Sequence, residues 1–417
     1  MAGVTPEEGA MTNETQRVDG TRFYALDAVR GGALFLGVVL HAGLAYMSPP
    51  AWIVNDPSGH AAVGSLFFTI HMFRMSLFFI LAGFFARLLY RKRGAAGFVL
   101  DRVKRVAGPL VLFWFPVLAA IITVLILAAL KANPALANQP PAPPPPLTAE
   151  TFPLTHLWFL YMLLLLYAVC VPLRGLLAFI DSGGALRRAA DGVFGLVIRW
   201  DLTPLVFGLP LWLLIQVQPQ WDHWLGIPTP DKGFIPNALA SAAYLSTFVF
   251  GWCLHRNANR LEMVRKKGFL NLFSAVALTL AAQWLGGHQA ETDAVTGGAW
   301  RALYSATYVL GLWSWCLGLI GVALRFLDRP SRFWRYMADS AYWVYLVHLP
   351  LVLLMQYLLL DLSAPYFVKL PLAVLSTLFL SLLSYQLLVR YSFIGAILDG
   401  RKRVLRKRQT PATTATV

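Results

Sequence analysis

Charge is what this sequence has least of. Only 13% of its 417 residues are Asp, Glu, Lys or Arg, while 58% are hydrophobic, and the mean hydropathy is +0.60. A soluble domain carries about 25% charge, so this composition excludes a soluble globular protein and leaves a polytopic membrane protein. Cysteine is also scarce. Cys170, Cys253 and Cys316 all fall inside apolar runs, which excludes a disulfide framework and gives them a packing role. The first 22 residues have no apolar core, so they read as a short polar tail and not as a cleaved signal peptide. No internal repeat of the transporter kind is visible.

What is present is a series of apolar stretches of about the 20 residues that a bilayer crossing needs. Ten spans are predicted, at 24–47, 63–86, 108–130, 156–173, 202–217, 237–254, 269–286, 302–324, 337–359 and 367–389. The fifth is short, contains Pro204 and Pro210, and is preceded by a Val193–Ile198 run that suits an interfacial helix. The fold class expected is therefore all-α, a multi-pass membrane bundle. The loop after the second span holds Arg87, Arg91, Lys92, Arg93, Arg102, Lys104 and Arg105, and the later even-numbered connections and the C-terminal tail are basic as well. The odd-numbered connections carry none, then Lys131, Lys232, Arg301 and Lys369 in turn. This alternation places both termini and the basic loops in the cytoplasm. The net charge of +15 then reflects topology and contact with anionic lipid, not nucleic acid. In the second outer loop, Pro140, Pro141 and Pro143–Pro146 favour polyproline II.

Ionisable side chains inside the spans concentrate in three of them: Asp27, Arg30 and His41 in the first, His71 and Arg74 in the second, Asp339 and His348 in the ninth. Charge in lipid costs several kcal/mol (roughly 2.5–3.5 on insertion scales), so it marks a polar pathway or a reaction site. Arg30 and His41 are eleven residues apart, which nets a rotation of about 20° and a rise of roughly 16 Å. They therefore share one stripe of the first helix, with Asp27 one turn before Arg30. His71 lies at the depth of His41, with Arg74 one turn further in. Imidazole can take a hydroxyl proton or carry an acyl group, and guanidinium suits anionic or carbonyl oxygen. The competing reading is that the two histidines only hydrogen-bond between helices.

Tyr342, Tyr345 and His348 form a polar stripe in the ninth span, and His348 is open between a site wall and a packing hydrogen bond. Asp339 is about 180° around that helix from His348, so it is expected to serve elsewhere, as the inner-edge partner of an arginine. Arg102 and Arg105, one turn apart before Pro109, can grip a phosphate from one helical face, with Arg91 and Lys92 in the same basic loop. Topology alone explains them equally well. On the outer side, His156, Trp158 and Tyr161, and then Trp221, His223 and Trp224, suit either interfacial anchors or a sugar-binding mouth.

Several segments resemble the acyltransferase-3 family of membrane acyltransferases. RFYALDAVRGGALFLGVVLHAG resembles its opening span, whose hallmark is an arginine and a histidine separated by ten residues, matched here by Arg30 and His41. IHMFRMSLFFILAGFFARLL resembles the second span, and FVLDRVKRVAGPL the Arg–x–x–Arg and proline segment after it. HLWFLYMLLLLY and SAYWVYLVHLPLV resemble the fourth and ninth spans. The match leans towards the glucan biosynthesis protein C branch, similar to succinyltransferases acting on periplasmic glucans. At Ala82 the family more often has serine, which weakens a hydroxyl role there.

The resemblance implies that Arg30 and His41 are the catalytic pair and that Arg102 and Arg105 bind the phosphates of coenzyme A. Depth and residue type add His71, Arg74 and Asp27 to the catalytic group, Arg91 and Lys92 to the donor-binding group, and His348, Tyr345, His156 and Trp158 to the acceptor-binding group. No metal and no permanently bound cofactor is expected. The function expected is an inner-membrane O-acyltransferase taking succinyl or acetyl from cytoplasmic acyl-coenzyme A to a periplasmic glycan. Residues 1–22 and 393–417 are expected as cytoplasmic tails around a transmembrane domain at 23–392. The rival reading is a proton-coupled transporter using the same buried ladder.

Overall fold

A computed structural model describes residues 23–50, 52–138, 140, 143, 146–219, 221–286 and 298–399. Twelve α-helices account for most of them: α1 (Tyr24–Gly43), α2 (Ala61–Arg102), α3 (Gly108–Ala132), α4 (Trp158–Ile180), α5 (Ala185–Arg199), α6 (Thr203–Val217), α7 (Ala238–Arg256), α8 (Leu261–Gly286), α9 (Gly298–Phe326), α10 (Arg332–Leu359), α11 (Tyr366–Ser384) and α12 (Phe393–Asp399). Among the described residues there is no strand, only one isolated bridge between Pro153 and Lys232. The protein is an all-α multi-pass membrane protein.

Each of the ten predicted spans coincides with a helix. By length and apolarity alone, eight helices among the described residues can cross a membrane, or nine if α5 and α6, bent by 100°, are taken as one broken span. One of those eight is the 72-residue run Ala61–Ala132, far longer than any bilayer is thick. It holds the predicted spans 63–86 and 108–130. Between them Gly94 adopts φ 68° and ψ −177°, a conformation open to glycine and strained for other residues. A π-helical turn at Val103–Ala107 then leads into α3. The predicted fifth span corresponds to α6, and the run before it forms α5, an amphipathic helix with Leu186, Val193 and Leu196 exposed. The predicted polyproline stretch lies partly, and the basic tail beyond 399 wholly, outside the described residues.

Helix α1 sits at the centre of the bundle and packs against α2, α9, α10 and α11. Its sequence explains the position: Ala25, Ala28, Gly31, Ala33, Gly37, Ala42 and Gly43 are all buried, and small residues let neighbouring backbones approach where apolar area alone gives no driving force. Helices α2 and α7 meet still more closely. A methyl group at Gly83 would fall inside 3.0 Å of the Phe248 carbonyl, and one at Gly251 inside 3.0 Å of that of Ile80. α12 covers the first seven residues of the expected C-terminal tail, and Leu398 is 7% exposed, so this part of the tail packs onto the bundle.

Candidate active site

A cavity of about 810 Å³ runs through the bundle between α1, α2, α4 and α10. Near the start of α1 and the end of α2 its wall carries Arg30, Arg102, Arg105 and Asp339, and here called the basic end; towards the other end it carries Trp52, Thr155 and Asp231. His41, His71, Arg74, His156 and His348 line it as well.

Three imidazoles form its centre. The His348 ring lies 5.3 Å from that of His41 and 5.1 Å from that of His156. The backbone of α10 fixes two of them. His348 Nδ1 is 2.7 Å from the Tyr345 carbonyl, and His156 Nε2 is 3.1 Å from the same oxygen and 3.2 Å from that of Leu346. A carbonyl only accepts, so these nitrogens carry the protons. In the neutral rings the lone pairs then lie on His348 Nε2 and His156 Nδ1, and among the described residues neither atom has a hydrogen-bond partner; nor does His41 Nδ1. The Tyr345 hydroxyl donates to the His156 carbonyl at 2.7 Å. Three imidazole nitrogens on residues lining one hollow are thus without partners, two of them acceptors.

The remaining residues of the predicted catalytic group fall around this centre. His71 Nε2 donates to the Ile227 carbonyl at 3.3 Å, and its ring stacks on Phe67 at 5.1 Å. Arg74 reaches into the cavity beside Gly37, where the absence of a side chain makes room: a methyl there would fall inside 3.0 Å of the guanidinium. Its Nε is buried without a partner, and among the described residues no carboxylate lies within ion-pair distance of it. Arg30 pairs with Asp27 at 3.2 Å and donates to the Ala338 carbonyl at 3.3 Å. Asp27 thus stands behind Arg30 and not on the cavity wall. Trp158 is 6% exposed and lines the wall.

At the basic end, Arg102 and Arg105 line the cavity and meet at Asp101, whose side chain is 1% exposed. Arg105 lies 3.4 Å from its carboxylate and Arg93 2.8 Å, while Arg102 bonds its second oxygen and also faces the Phe98 and Tyr167 rings. Sequence reading missed Asp101 as the group that holds these arginines. The signal was one carboxylate within a loop otherwise basic. Arg91 and Lys92 are exposed and do not line the cavity.

One expectation is refined and one corrected. Asp339 lies at the basic end with Arg30, Arg102 and Arg105, at the inner edge as expected, yet it lines the same cavity as His348. The wall stripe of α10, through Ala338, Ala341, Tyr342, Tyr345 and Leu349, is wide enough that residues on opposite edges of it both face inward. Trp221, His223 and Trp224 are 4%, 5% and 5% exposed, so they are interior packing and not a rim. His223 bonds the Gly286 carbonyl at 3.1 Å, and Trp224 stacks on Phe67 at 5.3 Å.

A family model described as an acyltransferase domain (Acyl_transf_3) matches residues 23–386. The chain belongs to this acyltransferase family. The match takes in the whole cavity wall except Leu398. The chain is also similar to proteins called glucans biosynthesis protein C. That of Salmonella typhimurium is 24% identical over 405 residues, covering 95% of this chain and 99% of its own. Those of Salmonella paratyphi B and Salmonella dublin are each 26% identical over 345 residues, covering 81% and 84%. No solved structure matches the chain. As a member of the family it is an acyltransferase.

Proposed function

We propose that the protein transfers an acyl group, succinyl or acetyl, from cytoplasmic acyl-coenzyme A to a hydroxyl of a periplasmic glycan, and that it resides in the inner membrane. The observation that carries this reading is the single cavity joining a cluster of arginines at one end to a rim bearing Trp52, Thr155 and Asp231 at the other, with the imidazoles between. The naming of relatives as glucans biosynthesis protein C supports a glucan acceptor.

The donor's phosphates rest on Arg102 and Arg105, which Asp101 holds in place. Its pantetheine arm, about half the ~30 Å hydrocarbon core in length, passes Arg30 and presents the thioester near Arg74. His41 takes the proton of an acceptor hydroxyl, and the oxygen attacks the thioester carbonyl. Arg74 stabilises the negative charge that develops on the carbonyl oxygen, as positioned donors do in low dielectric. The C–S bond then breaks, the imidazolium returns its proton to the leaving thiolate, and the products are an ester and free coenzyme A. His348 and His156, which line the hollow, accept from neighbouring hydroxyls and orient the one that reacts.

The test is transfer in proteoliposomes with labelled acyl-coenzyme A on one side and glucan on the other. His41→Ala abolishes covalent labelling of glucan while the protein still inserts and melts as the wild type does. Near-normal labelling in that variant refutes the assignment. Proton-driven glucan flux without labelling in the wild type would support a carrier instead.

A further inference from the structure

The loop from Met47 to His60, between α1 and α2, is held far more firmly than a connection requires. Asp56 and Lys369 form a buried ion pair at 2.8 Å, their side chains 1% and 4% exposed. The same carboxylate accepts from the Ser58 amide at 2.9 Å and its hydroxyl at 2.6 Å. The Asp56 amide donates to the Ala45 carbonyl at 2.8 Å, and that of His60 to Tyr46 at 2.9 Å. A buried pair gains little net stability over apolar packing of the same volume, so its effect here is to fix one loop geometry against α11.

What that geometry presents is Trp52. It lines the cavity at the end away from the arginines, is only half-buried, and its ring lies 6.4 Å from that of His41. Asn55 braces it from behind, accepting from the Trp52 amide at 3.3 Å and donating to its carbonyl at 2.7 Å. Its indole Nε1 donates to Gln356 Oε1 at 3.3 Å. The Gln356 amide in turn donates to the carbonyls of His41 at 2.8 Å and Ala42 at 3.1 Å. One fully buried amide (1% exposed) therefore sets the indole and the backbone of His41 relative to each other.

We propose that Trp52 is the platform on which a sugar ring of the acceptor stacks, placing one of its hydroxyls at His41. The apolar C–H face of a pyranose fits an indole, and an aromatic side chain brings a large contact area at low conformational cost. The inference rests on the glycan-acyltransferase reading above and adds the residue that selects a ring-bearing acceptor. The acceptor enters from the Trp52 end, and the donor from the arginine end, so the two occupy separate parts of one cavity.

Full-length Trp52→Ala and Trp52→Phe proteins in nanodiscs test this with a β-glucan oligosaccharide as probe. Binding is measured calorimetrically without donor, and KM is measured separately for glucan and for acyl-coenzyme A. Trp52→Ala weakens glucan binding and raises its KM about tenfold, the scale of one lost aromatic contact, while the donor KM stays within a factor of about two. Trp52→Phe retains most of the affinity. Lys369→Met, which frees the loop without touching the cavity, raises the glucan KM and leaves the donor KM in place. Unchanged glucan binding in a Trp52→Ala protein that melts normally overturns the platform but leaves the acyltransferase reading standing. Wild-type protein that neither binds nor acylates glucan overturns both.

Discussion

Gly37 offers a way to move the Arg74 guanidinium without touching its chemistry. A Cβ at Gly37 would meet Arg74 Nη1 inside 3.0 Å, with Cζ at 3.6 Å and Cδ at 4.0 Å, and no atom of any other residue is among its nearest neighbours. To regain ordinary contact, at or beyond 3.4 Å, the head of Arg74 must retreat by about an ångström. That atom ends a flexible side chain, so the change costs little packing, and alanine in a helix interior gains roughly 1 kcal/mol over glycine. Gly37→Ala therefore leaves the melting temperature at or above that of the wild type. Catalysis responds differently, because a misplacement of about 1 Å at a reacting centre can cost on the order of 10²-fold in rate. We expect kcat for acyl transfer to fall by about that factor. Gly32→Ala is the control, since a Cβ there meets nothing within 4 Å; it should behave as the wild type. Activity of Gly37→Ala within about threefold of wild type would show that the position of Arg74 is not used. A fall in melting temperature would show that the glycine serves helix packing instead.

Asp101→Asn removes the charge that gathers Arg93, Arg102 and Arg105. Because the three arginines are partly exposed, the loss of stability is about 1–3 kcal/mol, read by thermal melting, and the apparent KM for acyl-coenzyme A rises while that for glucan does not. Asp56 gives a pH dependence of known sign. Burial raises its pKa, but hydrogen bonds from Lys369 and Ser58 outweigh that and hold it below the ordinary 3.8. A depressed carboxylate pKa stabilises the fold fully above its unfolded value of ~3.9, and that contribution is lost as pH falls through the folded value. The difference in melting temperature between wild type and Asp56→Asn should thus be constant above about pH 5 and close below about pH 4; a gap that persists in acid refutes the account.

How much of this was legible in the sequence follows from how local each signal is. Lipid imposes a length on every crossing, so the ten apolar segments could be placed from composition alone, and even the weak fifth was marked by Pro204 and Pro210. The shared stripe of Arg30 and His41 follows from helical periodicity within one segment, and both do line the cavity. Pairings between segments carry no such signal. Asp56 and Lys369 are 313 residues apart, and each alone reads as an ordinary loop or interface charge. The contact of His348 with His156 joins two spans whose relative rotation the sequence does not specify. That Asp339 shares a cavity with His348 was hidden for a related reason: helical angle gives direction, but not the width of the space that a helix faces. Trp221, His223 and Trp224 read as interfacial anchors or a sugar-binding mouth because they are aromatic and lie in a loop, yet they turn inward against Phe67 of α2 and Tyr304 of α9.

The distribution of paired and unpaired polar groups ties these results together. Removing one partner of a buried ion pair costs about 3–5 kcal/mol, so a membrane protein is expected to match its buried charges. At both ends of this bundle it does: Asp101 with its arginines, Asp27 with Arg30, Asp56 with Lys369. Midway it does not. Arg74 has no carboxylate within ion-pair distance among the described residues, and seven buried atoms without a partner there (Arg30 Nε, His41 Nδ1, Arg74 Nε, Arg102 Nε, Thr155 Oγ1, His156 Nδ1 and His348 Nε2) belong to residues lining one cavity. Scattered exceptions of this kind are ordinary, but seven on the residues around a single hollow are a standing cost to the fold. A ligand that supplies both an acceptor for the guanidinium and hydroxyl donors for the imidazoles removes that cost. In the reaction we propose, a thioester carbonyl and a sugar hydroxyl together do so, and the charge that would appear on the carbonyl oxygen during transfer would satisfy Arg74 better than either substrate alone. On that reading the site is most nearly matched at the transition state, which is the condition for catalysis rather than mere binding.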